Sequence, residues 1–137
     1  MMAAQNNADW YAMMWDIRGL RYVRDGHGFR AIDPPPPYHG CVTTVPGAPV
    51  QMMIGSLLDQ PDFAVKDGSG QHDLTDAGLD RMFDAQWLWH KADSTADIAD
   101  WVHINGPRAL AQWEDDWRES APSDQRQFPD AILARED

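Results

Sequence analysis

Short β-branched runs and amphipathic helical stripes interleave along this chain, which predicts a fold of the α/β or α+β class. Three stretches carry that expectation. Tyr11, Met14, Trp15 and Arg18 share one helical face. Leu20–Arg24 and Phe29–Ile32 flank Asp25-Gly26-His27-Gly28, a hairpin signal. Val50, Met53, Ile54, Leu57 and Leu58 form a second stripe. The length of 137 residues suggests one domain, residues 1–137, around one core, and seven tryptophans suggest a core rich in rings.

In chain order, a first helix is expected over residues 6–18, with Asn6 or Asn7 as its cap and Gly19 at the left-handed position that ends it. The hairpin follows. Pro34–Pro37 then fix φ near −65° and remove four donors, so they are expected as polyproline II, a rigid connector inside the domain. Cys41–Val45 is the third strand. Pro46-Gly47 turns the chain, and Pro49 suits the first position of a helix over 49–59. Phe63–Lys66 is the fourth strand, and Asp67-Gly68-Ser69-Gly70 is a loop.

Residues 79–91 fit two periods. Phe83, Ala85, Trp87 and Trp89 alternate as on a strand, while Leu79, Met82, Phe83, Gln86 and Trp87 form a helical stripe. Trp101–Ile104 reads as a strand. Asn105 then caps a helix that Pro107 opens, with Leu110, Trp113 and Trp117 on one face and Glu114–Asp116 largely facing away. Residues 120–137 are a polar tail in which Phe128, Ile132 and Leu133 are available to dock. No internal repeat is visible.

The formal net charge is −11, with no basic stripe, which argues against nucleic acid and anionic membranes as partners. No apolar run approaches the roughly 20 residues that span a bilayer. The N-terminus lacks a basic and then apolar leader pattern, so a soluble, cytoplasmic protein is expected. Cys41 is the only cysteine, which removes an internal disulfide and any Cys-x-x-Cys chemistry.

The chemistry-bearing groups are sparse. Gly68-Ser69-Gly70 follows a strand, as a phosphate loop would, but an acidic stretch follows it and an ordinary turn is the simpler reading. The five histidines show no metal-ligand spacing, and no metal is expected. Asp73, Asp76, Asp80 and Asp84 recur at helical spacing, the pattern of a solvated face; Asp84 stands out because Met82, Phe83 and Trp87 surround it in sequence. His39 and Cys41, one residue apart on an extended segment, point to the same side and could pair as base and nucleophile; a buried, inert thiol is the plainer alternative.

The strings G-L-R-Y-V-R-D-G, A-I-D-P-P-P-P-Y-H-G, T-T-V-P-G, V-K-D-G, L-D-R-M-F-D-A-Q-W-L-W, L-A-Q-W-E-D-D-W and F-P-D-A-I-L-A together resemble a group of bacterial GNAT-family acetyltransferase-related proteins, over residues 15–134. The resemblance implies an α+β, α/β-like fold: a mixed, mainly antiparallel twisted sheet flanked by three to four helices, a partial GNAT-like architecture. It tips residues 81–90 toward a strand. In that family acetyl-CoA is held by a strand, a Q/R-x-x-G-x-G/A turn and a helix N-terminus. That element is expected in a second half beyond residues 120–137, so this chain alone is expected to carry no cofactor and to be inactive or partial. Acetyl-CoA belongs to a longer form. The implied partners are that second half or another copy of the chain. The alternative is a non-enzymatic, acidic protein-binding module. No catalytic residue is assigned; the candidate pocket comprises Tyr38, His39, Lys66, Asp84, Trp87 and Trp89.

Overall fold

The structure is a computed structural model that describes residues 2–60, 63–87, 101–117 and 126–135. The chain divides into two compact units, residues 1–84 and 85–137.

The first unit begins with helix α1, Met2–Asp16, which buries Ala4, Ala8, Tyr11, Met14 and Trp15. The helix starts earlier than the expected cap: Asn6 and Asn7 lie inside it, because the small-residue pattern Ala4/Ala8 extends the buried face by two turns. Its end is as expected. Gly19 has φ +65°, Leu20 N–H donates to Trp15 O (3.0 Å) and Gly19 N–H to Asp16 O (3.0 Å). This is the Schellman arrangement, and it satisfies carbonyls that the helix end would otherwise leave open.

Strands β1 (Tyr22–Asp25) and β2 (Gly28–Ala31) form the hairpin, with Gly26 and His27 in the loop. Asp25 Oδ1 accepts the His27 N–H at 2.8 Å, which pins the turn. Strand β3, Val42–Thr44, pairs antiparallel with β2. At Gly28 the chain has φ +130° and a Cβ would lie 2.1 Å from Thr43 O, so only glycine lets β2 and β3 approach there. Helix α2, Val50–Ile54, is shorter than the expected 49–59; Pro49 stands at its N-cap, and turns carry the chain to Leu57, which is buried. Strand β4, Val65–Asp67, pairs in parallel with β3, through Val42–Val65, Thr43–Lys66 and Thr44–Asp67.

The sheet is therefore mixed, four-stranded and open, in the order β1-β2-β3-β4. With three helices among the described residues, the class is α+β. Helix α1 packs on β1, β2 and β3, and α2 on β3. Trp15, Phe29, Met14, Val42 and Ile54 are the large apolar residues of that core. Tyr11, Trp15, Phe29 and Tyr22 form a chain of ring contacts, with Trp15 and Phe29 edge-to-face at 4.7 Å.

The second unit contains helix α3, Pro107–Trp117, as expected. Phe128 packs its ring on Trp113 at 5.1 Å, so the expected tail docks through that residue; Asp130–Ala134 is a 3₁₀ turn. Glu114 departs from expectation. It is fully buried, not turned outward, because it lies one turn beyond Leu110 on the covered face of α3. Its carboxylate accepts Arg126 Nε–H at 2.9 Å and the backbone N–H groups of Gln127 and Phe128. Burial alone would raise its pKa; Arg126 and the two amides outweigh that and hold the carboxyl below its ordinary range.

Two expected strands do not form. Residues 79–87 have neither strand nor helix, and Met82 and Phe83 are 83% and 76% exposed. The remainder of the expected 81–90 strand lies outside the described residues. Residues 101–104 are likewise irregular, with Trp101 and Val102 at 80% and 87% exposure. Among the described residues no strand pairs with either segment, and propensity without cross-strand pairing does not make a sheet.

Candidate functional site

Two places in the first unit gather polar groups, one at each end of the parallel pair β3/β4. The first lies just before β3. The clamp that leads into it is Asp33, which accepts Arg21 N–H (2.7 Å), Nε–H (3.0 Å) and Nη2–H (2.6 Å). Arg21 holds the Asp33 carboxyl below its usual range. Pro34–Pro37 then run to a turn in which His39 N–H donates to Pro36 O at 3.2 Å. Pro37 occupies the position where proline's fixed φ is favoured, and Tyr38 takes φ +64°, a value usually reserved for glycine or asparagine. Tyr38 is thus half-exposed on a strained turn, and His39 is turned inward.

His39 Nδ1 lies 2.9 Å from Pro37 O. A carbonyl only accepts, so Nδ1 carries the hydrogen and Nε2 the lone pair. The ring is edge-on to Tyr11 (5.1 Å) and Trp15 (5.7 Å). Burial lowers its pKa, the Pro37 contact opposes this, and the positive charges of Arg18 and Lys66 lower it further. Burial raises the Tyr11 phenol, whose oxygen accepts Gly40 N–H at 3.4 Å. Burial also lowers the pKa of Lys66, which donates to Asn7 Oδ1 at 2.8 Å.

Cys41 is fully buried, its thiol pushed up by desolvation, and it reaches Gln60 Oε1 at 3.8 Å. A thiol with raised pKa in an apolar setting is a poor nucleophile, so the Cys41–His39 pairing gives way to the structural reading.

The second place is the carboxyl end of β3 and β4, where open α/β sheets hold ligands. Here Thr44 and Asp67 face each other across the parallel pair. Asp67 Oδ1 accepts Thr44 Oγ1–H (2.9 Å), Ser69 N–H (3.0 Å) and Ser69 Oγ–H (2.8 Å); Oδ2 accepts His72 N–H (2.9 Å). Desolvation pushes this carboxyl up, and the four donors overcome it and bring the pKa down to about 2. Every amide from Gly68 to His72 is engaged within the loop: Gly68 with Thr44 Oγ1, Gly70 with Asp67 O, Gln71 with Ser69 Oγ, and Ser69 and His72 with the Asp67 carboxylate. The glycine-rich loop therefore organises around its own anion and presents no amide nest to another.

The turn after β3 is similar. Pro46 and Pro49 have no N–H. The amides of Val45, Ala48, Val50 and Met52 donate to carbonyls of His27, Val45, Ala48 and Pro49.

The geometry joins Tyr38, His39 and Lys66 of the sequence-derived candidates, and adds Tyr11 and Arg18, which sequence spacing had marked only as core-facing helix positions. Asp84 is exposed and meets Arg81 at 3.5 Å; Trp87 is half-exposed in the second unit; Trp89 lies outside the described residues. Asp67 was read only as loop chemistry, although D-x-S is a signal for a carboxylate that caps its own turn. Among the described residues no group of three or more His, Cys, Asp or Glu side chains could hold a metal ion, and no helix is long and apolar enough to cross a membrane. An open concavity of about 560 Å³ lies at the start of α3, lined by Gly106, Pro107, Arg108, Ala109 and Gln112. No family model, curated protein or solved structure matches the chain.

Proposed function

We propose that this chain is a GNAT-related, acyl-transfer-type domain that does not hold acetyl-CoA by itself. The observation that carries this reading is the placement of two of the family-like strings. T-T-V-P-G runs from β3 into the turn before α2, and V-K-D-G runs from β4 into the Asp67 loop, so both fall at the carboxyl end of the one parallel pair. A strand, a turn and a helix are also the kinds of element from which the family builds its cofactor site, although the resemblance puts that site in a second half. The residues here fit the cofactor poorly. A pyrophosphate needs unengaged amides. Pro46 and Pro49 supply none, and the amides of Val45, Ala48, Val50 and Met52 and those from Gly68 to His72 already donate to the chain. The Asp67 carboxylate and the net charge of −11 repel an anion. In this reading a second, cofactor-binding half completes the site.

Titration calorimetry with acetyl-CoA tests the reading. The 137-residue chain is expected to give no saturable heat at concentrations up to about 1 mM. Saturable one-to-one binding would overturn it.

The exposure of Met82, Phe83, Trp101 and Val102 favours a second reading, a non-enzymatic acidic module that binds another protein. A pull-down at low and high salt separates the two: partners released by salt support the module, and none at either salt counts against it.

A further inference from the structure

His39 closes the Pro36–His39 turn. His39 donates its backbone N–H to Pro36 O and its Nδ1–H to Pro37 O. It also packs its ring edge-on against both Tyr11 and Trp15, being 8% exposed. In return the turn keeps Tyr38 at φ +64°, a conformation that a bulky residue leaves when it is not over-determined by its surroundings. The strain sits next to the one group in the cluster whose charge changes near neutral pH.

Every charged group that acts on the ring is unfavourable to its charged form. Arg18 lies on the C-terminal extension of α1 and Lys66 on β4, and both are cations. The other titratable neighbours are the Tyr11 phenol on α1 and the Cys41 thiol beyond the turn, both neutral at physiological pH. Among the described residues, the charges that act on the ring are the two cations and no carboxylate. A second proton on His39 would put a positive charge on a buried ring that packs against Tyr11 and Trp15 and is already opposed by two cations.

We propose that the Pro36–His39 turn is an acid-sensitive latch, which protonation of His39 releases so that the connector Pro34–Cys41 opens while the sheet stays folded. The ring moves to water, both of its bonds to the proline carbonyls break, and Tyr38 relaxes to an extended conformation. Gly40 N–H then loses its hold on the Tyr11 oxygen, and the Tyr11–Trp15 box is uncovered. This inference does not depend on the acyl-transfer reading, since it involves neither the Asp67 loop nor a cofactor.

Amide hydrogen exchange on the full chain, corrected for the intrinsic effect of pH, tests it. Protection at His39 and Gly40 is expected to fall about tenfold or more between about pH 7 and pH 5, as a histidine titrates from an unfolded-state value near 6.5. Leu20 and Val45, which bond to Trp15 O and His27 O away from the latch, keep their protection. In His39→Gln the side chain retains a donor for Pro37 O without a titrating group, and protection becomes independent of pH. In Tyr38→Gly the strain is relieved, so the open form is about tenfold less populated and its midpoint moves to lower pH. The proposal is overturned by unchanged protection in the native protein, by the same acid loss in His39→Gln, by an unshifted midpoint in Tyr38→Gly, or by a uniform loss that includes Leu20 and Val45.

Discussion

Replacing Asp67 by asparagine keeps the shape of the side chain and removes its charge. The drop in the carboxyl's pKa from 3.8 to about 2 corresponds to about 2.4 kcal/mol of favourable interaction with the charged form. The site is partly open to water, and screening reduces what the folded state retains to about 1–1.5 kcal/mol. Asparagine adds a second cost. Its carbonyl can keep the Thr44 and Ser69 donors, but its NH₂ then faces the His72 N–H, donor against donor. An unmet donor of this kind costs about 1–3 kcal/mol, so the variant should be less stable by about 2–4 kcal/mol at neutral pH. Urea denaturation of both proteins measures this. Because the folded-state pKa is depressed, the native carboxylate's contribution is complete above pH 3.8 and is lost as pH falls toward about 2. The gap between the proteins should therefore narrow across that window. A gap below about 0.5 kcal/mol at neutral pH, unchanged on acidification, would refute the view that this charge organises the loop.

Other perturbations follow from the same geometry. Gly28→Ala sets a Cβ 2.1 Å from Thr43 O, so β2 and β3 must part; a loss of more than about 3 kcal/mol is expected in denaturant titration, and a wild-type midpoint would contradict it. Trp15→Ala opens the aromatic core and should cost about 3–5 kcal/mol, read by the same assay. Glu114→Gln removes the buried charge that Arg126 Nε–H and two amides meet, while Arg126 keeps Asp130 at 3.0 Å, and should loosen the second unit, seen as faster amide exchange at Gln127 and Phe128. Since the Glu114 carboxyl is held below its ordinary range, the native protein should lose that protection only as pH falls below the usual glutamate value.

Most of the first unit was legible in the sequence because its signals are local. The Gly19 stop, the D-G-H-G hairpin and the stripe on α1 each depend on residues a few positions apart. The hidden features depend on distant partners. Ala4 and Ala8 continue the helical period of Tyr11 and Trp15, but side chains this small give little apolar signal until they are seen to meet the rest of the unit. Glu114 sits in an acidic run and looks solvated; only Arg126 and two amides a dozen residues on make its burial tolerable. Residues 79–87 and 101–104 show the reverse, in that their apolar alternation carries no information about whether a partner strand is present. At the candidate site, the proline run announced a rigid connector, but not that it ends in a strained turn closed by His39. The engagement of the loop amides was equally invisible, since Asp67-Gly68-Ser69-Gly70 has the composition of a phosphate loop and differs only in where its N–H groups point.

The measurement that tests the central claim most directly is calorimetric titration of acetyl-CoA into the 137-residue chain, alone and as Asp67→Asn. The account predicts no saturable binding up to about 1 mM for either protein, because removing one charge does not free the proline-interrupted turn. Saturable one-to-one binding to the native chain within that range would contradict it.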